Sequence, residues 1–197
     1  SKTKAMLFTR KHKNRYENEM PILYIDGARI EYVETFKYLG VTLDIKLTFH
    51  SHIVDLAIHA NASLVVSRNL VGKHWGINPT TMRWIYTAVV RPMITYGSVA
   101  WVSGLRYKYN LKRLKSVQGM ACRMITGSMR STPIAGMEVL LGLTPIDIFV
   151  KETAVATSTR LARTGHWRES ARRPLCAHTT ITCLLYTSPS PRDSSPA

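Results

Sequence analysis

The hydrophobic period changes once along this chain, and that change limits the possible folds more than any other feature. Up to Asp44 the apolar residues fall in short, strand-like runs separated by turn residues. From about Leu47 they recur every three or four residues, the spacing of a helical face. The expectation is an α+β chain, with short N-terminal antiparallel strands followed by a mostly helical region.

In the first part, "TKAMLFTR" predicts a strand buried at Ala5, Met6 and Leu7. "PILYIDGARIEYV" predicts a hairpin of residues 22–25 and 28–33, with Asp26-Gly27 supplying the positive φ angles of a tight turn. "FKYLGVTLD" (36–44) is expected to be a third strand, in which Gly40 marks a bulge or the close approach of another backbone.

In the second part, Ile53, Leu56, Ala57, Ala60, Leu64 and Val65 share one helical face. "NPTTMRWIYTAVV" starts a helix with Asn78 as N-cap and Pro79 in the first turn, and Pro92 should kink or end it near Val90. Residues 94–104 fit a short helix or a buried turn. The clearest helix is "YNLKRLKSVQGMACRMITG" (109–127). Leu111, Leu114, Val117, Ala121, Met124 and Ile125 form its buried stripe, and Gly127 is a natural stop. Two more helices follow, one opened by Pro133 and one capped by Thr144 and ended by Gly165.

The charge is strongly one-sided. There are 27 Lys and Arg against 12 Asp and Glu, a formal +15, which points to a polyanion partner, most often nucleic acid. Residues 56–137 contain no carboxylate and eleven Lys or Arg: 68, 73, 83, 91, 106, 108, 112, 113, 115, 123 and 130. A groove that holds phosphates excludes carboxylates, because each would repel the ligand. The plainer reading is a general basic bias. Lys112, Arg113, Lys115 and Arg123 lie off the buried stripe of residues 109–127. Lys73 and His74, in a break between helices, are phosphate candidates. Trp75, Trp84, Tyr86, Tyr96 and Trp101 have rings able to stack on bases, but the duller reading puts Trp84, Tyr96 and Trp101 in the core. His50 and His52 are read as surface residues.

Cys122, Cys176 and Cys183 form no CxxC pair, and "CAH" with His166 is a poor zinc set. The expectation is a reduced, intracellular protein. No apolar run is long enough for a membrane span. The missing initiator Met suggests a fragment.

Four phrases occur in an order that resembles the reverse transcriptases of non-LTR (LINE-type) retrotransposons: "SKTKAMLFTR", "FKYLGVTLD", "IYTAVVRPMITYGSVAW" and "VQGMACRMITGSMRSTPIAGMEVLLGLTPIDI". The resemblance covers roughly residues 1–168. It implies that residues 1–45 are the end of the palm and a primer-gripping hairpin, that 46–168 are a helical thumb and connection, and that 169–182 are a truncated linker. It implies that Lys2 is the lysine assisting proton transfer to the leaving pyrophosphate, and that Tyr38, Leu39 and Gly40 approach the primer. The partners it implies are an RNA template with a DNA primer, and the palm and fingers of the same polypeptide. It also implies Mg2+ in the parent polymerase and a nuclear location at integration.

Two-metal polymerase chemistry needs carboxylates. The family supplies an Asp and an Asp-Asp pair, and no adjacent Asp pair occurs here. The catalytic core is therefore expected before Ser1, leaving a segment that grips the duplex and does not polymerise alone. A stand-alone basic helical nucleic-acid-binding module and a non-catalytic domesticated remnant are the alternatives. An Asp-Asp motif just before Ser1 would favour the first reading over both.

"CLLYTSPSPRD" resembles the reading-frame translation of a transposase adapter used in sequencing libraries. Residues 183–197 are accordingly expected to be a non-native tail without a role in fold or function.

Overall fold

The computed structural model describes residues 3–9, 21–25, 27–68, 77–164 and the backbone of 182–186. The chain divides into two compact units, residues 1–47 with 176–197, and residues 48–175.

The first unit is built of short strands. β1 (Lys4–Phe8) buries Ala5 and Met6, while Leu7 is half-buried. β2 (Tyr24–Ile25) and β3 (Ala28–Arg29) form the expected hairpin, with Gly27 at φ 75°. β4 (Glu31–Tyr32) leaves that hairpin and pairs with β1, parallel rather than antiparallel. A parallel pair needs a crossover of about a dozen residues or more, and the sequence between Phe8 and Glu31 is long enough for one. On the other edge of β1 lies β7 (Thr182–Tyr186), antiparallel, in register from Lys4 opposite Tyr186 to Phe8 opposite Thr182. The expectation that residues 183–197 take no part in the fold therefore fails for their first four residues.

"FKYLGVTLD" is not one strand. β5 (Thr35–Tyr38) and β6 (Val41–Asp44) form a hairpin of their own, Tyr38 opposite Val41. Leu39 and Gly40 are its two-residue turn, with φ 47° and 84°. Two consecutive positive φ angles are what a type I′ turn requires, and its twist suits the flanking strands. Gly40 is thus a turn glycine and not a bulge.

The second unit is helical. α1 (His50–Arg68) buries Ile53, Ala57, Ala60 and Leu64, while Leu56 is half-buried and Val65 faces solvent. α2 (Pro79–Ile85) has the expected cap, the Asn78 side chain accepting from the Thr81 amide at 2.7 Å. Pro92 does not end the helix. Tyr86–Val90 form a π-helical turn that runs directly into α3 (Arg91–Thr95), and the Arg91 amide donates to the Tyr86 carbonyl five residues back. Proline lacks an amide hydrogen and crowds the carbonyl four residues earlier. A widened turn gives the ring room without breaking the helix.

Gly97, at φ 60°, then turns the chain into α4 (Ser98–Trp101) and a 3-10 turn (Val102–Arg106). α5 (Lys108–Thr126) ends at Gly127, φ 67°, as expected. It packs along α1 and buries Leu114, Val117, Ala121, Cys122 and Ile125; Leu111 and Met124 are only half-buried. α6 (Ile134–Leu140) follows Pro133. α7 (Ile146–Arg163) is entered from Pro145, with no side-chain cap from Thr144. The Thr144 carbonyl instead accepts from Gln118 at 3.2 Å and from Arg91.

Candidate nucleic-acid interface

The interior of the helical unit removes some candidates. Arg91 is 5% exposed. Its guanidinium donates to Gln118 Oε1 at 3.1 Å and lies 4.3 Å from the centre of the Phe149 ring. Tyr86 donates to the same Gln118 oxygen at 2.8 Å, and Gln118 Nε2 donates to Glu138 at 2.5 Å. Arg91 is therefore a structural cation and meets no phosphate. Burial pushes the Tyr86 hydroxyl up to about 12 and the Cys122 thiol up to about 11, so both stay neutral at ordinary pH.

The aromatic residues separate differently from the core reading. Trp101 is fully buried, as is Tyr86. Trp84 and Tyr96 are 63% and 59% exposed. His52 is buried against the edge of Trp101, with ring centres 5.8 Å apart, which corrects its reading as a surface residue. His50 is exposed, as expected.

On α5 the solvent side of the first half is basic. Lys112, Arg113 and Lys115 are exposed, and Lys108 joins them. Positions 108, 112 and 115 form one row along a helix, and 109, 113 and 116 form the next. Lys115 Nζ lies 3.7 Å from Asp147 Oδ1 at the start of α7, so its charge is partly answered within the protein. Arg123 does not belong to this cluster. It is half-buried, eleven residues and hence about 16 Å along the helix from Lys112. There Ile134 closes over the outer face: a Cβ on Gly119 would stand 2.7 Å from Ile134 Cδ1 and 3.4 Å from the Arg123 guanidinium.

Of the other candidate residues, Tyr38 and Leu39 are 39% and 72% exposed, at the tip of the β5–β6 hairpin with Gly40. Lys2, Lys73, His74 and Trp75 lie outside the described residues.

Sequence reasoning counted Arg106 among the cations but passed over the rings of Tyr107 and Tyr109 beside it. The Arg106 guanidinium lies 4.8 Å from the Tyr107 ring centre. Tyr107 and Tyr109 stack, with centres 5.5 Å apart and planes 23° apart, and Tyr109 meets the His50 ring edge-on at 4.9 Å. "RYKYN" alternates cations and rings, which is a legible signal. His50, sixty residues away in sequence, is not foreseeable from it.

Among the described residues no group of three His, Cys, Asp or Glu could hold a metal ion. No described helix is long and apolar enough to cross a membrane.

No protein-family model and no solved structure matches the chain. Curated proteins do. The chain is 29% identical over 127 residues to a probable RNA-directed DNA polymerase from transposon X-element of Drosophila melanogaster, covering 64% of this chain and 13% of that protein. It is 28% identical over 132 residues to a retrovirus-related Pol polyprotein from the type-1 retrotransposable element R1 of Nasonia vitripennis, covering 66% and 39%. It is 29% identical over 114 residues to the RNA-directed DNA polymerase from mobile element jockey of Drosophila melanogaster, covering 55% and 12%. The chain thus spans well under half the length of each of these relatives.

Proposed function

Because this chain is a relative of the RNA-directed DNA polymerases of non-LTR retrotransposons, we propose that it is the part of such a polymerase that grips the template–primer duplex. The observation that carries this reading is the outer face of α5. Lys108, Lys112, Arg113 and Lys115 lie together there in the carboxylate-free stretch 56–137. Cations fixed on a rigid helix release condensed counterions when they meet phosphates, which gives affinity without sequence preference. In this reading the exposed tip of the β5–β6 hairpin, Tyr38 to Gly40, approaches the primer strand. In this reading the metal-dependent nucleotidyl transfer falls to carboxylates elsewhere in the polymerase.

The test is the salt dependence of binding to an RNA–DNA hybrid. Each phosphate contact contributes about 0.7–0.9 to the slope of log K against log salt. Lys112→Gln with Arg113→Gln should flatten that slope by about 1.4–1.8 units. Lys115→Gln should change it less than either alone, because Asp147 already answers its charge. An unchanged slope in a folded Lys112→Gln/Arg113→Gln chain would remove this helix from the duplex.

A further inference from the structure

We propose that Arg106, Tyr107, Tyr109 and His50 form a stacking site for unpaired nucleotides where a single-stranded extension leaves the duplex. This rests on the duplex-grip reading and deepens it. The four side chains make one continuous row: cation on ring, ring on ring, ring edge to imidazole, at 4.8, 5.5 and 4.9 Å. The row is held from beneath. Asn110 is fully buried. Its amide nitrogen donates to the carbonyls of Gly104 at 3.0 Å and Thr48 at 3.3 Å, and its oxygen lies 2.8 Å from His50 Nδ1. One buried side chain therefore ties the start of α1, the 3-10 turn and α5 together and fixes the rings before any ligand arrives, which lowers the ordering cost of binding.

The row also keeps contact surface in water. Tyr109 is 47% exposed, His50 and Arg106 are exposed, and Tyr107 is half-buried. Two stacked tyrosines close to solvent, beside an arginine and within a carboxylate-free stretch, suit a flat, anionic-backboned partner. Bases stack on the rings, beside the basic face of α5 that takes the duplex phosphates. Stacking is indifferent to sequence because every base has a π-face, so the site suits a polymerase segment that meets any template.

The experiment uses the full chain with an RNA–DNA hybrid that is blunt or carries a single-stranded extension of the RNA or of the DNA strand. A base-bearing extension should tighten binding by about tenfold over the blunt hybrid. The same extension made abasic keeps its phosphates and should lose that gain. Tyr107→Leu with Tyr109→Leu should abolish the gain and leave blunt binding and its salt slope unchanged, while Tyr107→Phe with Tyr109→Phe should retain it. Comparing the RNA and DNA extensions shows which strand the site takes. An abasic extension that binds as tightly as a normal one overturns the proposal, with no variant needed. Blunt binding with no gain from any extension overturns the ladder alone. A chain that binds neither form overturns the duplex grip and the ladder together.

Discussion

Arg91 shows how far a residue's type can mislead about its task. It is one of eleven cations in a stretch without carboxylates, yet it lies under Phe149 and shares the Gln118 oxygen with Tyr86. A charge in that position is tolerated because its hydrogen bonds and the neighbouring rings replace water. The same burial makes Tyr86 a pH-sensitive element. Its folded-state value is raised to about 12 from 10.0, with burial as the main cause. The folded state therefore holds the proton more tightly than the unfolded state between those limits. Stability that Tyr86 contributes is fully present below pH 10 and is lost as pH rises through 12, in total about 2–3 kcal/mol. Tyr86→Phe removes the bond to Gln118 and should be less stable than the parent at pH 8 by about 1 kcal/mol. That gap should shrink and then reverse between pH 10 and 12, read from denaturant midpoints. A gap that stays constant across that window would contradict the assignment. At this scale the sequence was only partly legible. Helical spacing identified Ile53, Ala57, Leu114 and Val117 as core, because a face must bury something. It could not place Arg91, His52, Trp84 or Tyr96, whose burial depends on which helices meet them.

At the scale of elements, local chemistry was legible and long-range pairing was not. Asn78 capping, the Gly27 turn and the Gly127 stop each depend on a few adjacent residues and were readable for that reason. The π-turn before Pro92, the parallel β1–β4 pair and the splitting of "FKYLGVTLD" each depend on partners or on backbone geometry that the residue pattern does not encode. The last of these carries a test. Gly40 sits at φ 84° in a turn whose first residue, Leu39, already has positive φ. An L-residue there costs about 1–2 kcal/mol, more if β-branched, and Asn least. Gly40→Val should raise amide exchange rates across Thr35–Asp44 by roughly tenfold or more, and Gly40→Asn should change them little. Equal exchange in both variants would mean that the turn geometry is not what holds the hairpin. The Asn variant is therefore also the cleaner probe of any primer contact at this tip, since it adds a side chain while keeping the turn.

At the scale of the whole chain, the two units depend on different forces. The helical unit rests on buried apolar faces, with Trp101, Leu64, Leu114 and Val150 all fully enclosed. The strand unit rests largely on main-chain pairing, and β7 supplies one full edge of β1. An open strand edge accepts any segment that can extend beside it, and "TCLLY" has the β-branched, aliphatic and aromatic residues that favour extension. Pairing of this kind follows from conformation and is independent of where the segment comes from, so a tail that looks foreign in sequence can still complete the sheet. The consequence is separable stability. Deleting residues 182–197 should strip exchange protection from β1, which among the described residues keeps its short parallel pairing with β4. The melting of the helical unit, followed by its far-ultraviolet signal, should stay within a degree or two, because none of its buried residues lies in the deleted stretch. Restoring the tail with a different β-prone five-residue segment should return most of the lost protection. If only "TCLLY" restores it, the side chains of that segment matter and main-chain pairing alone is insufficient. If the helical unit melts early after the deletion, the stabilities of the two units are not separable.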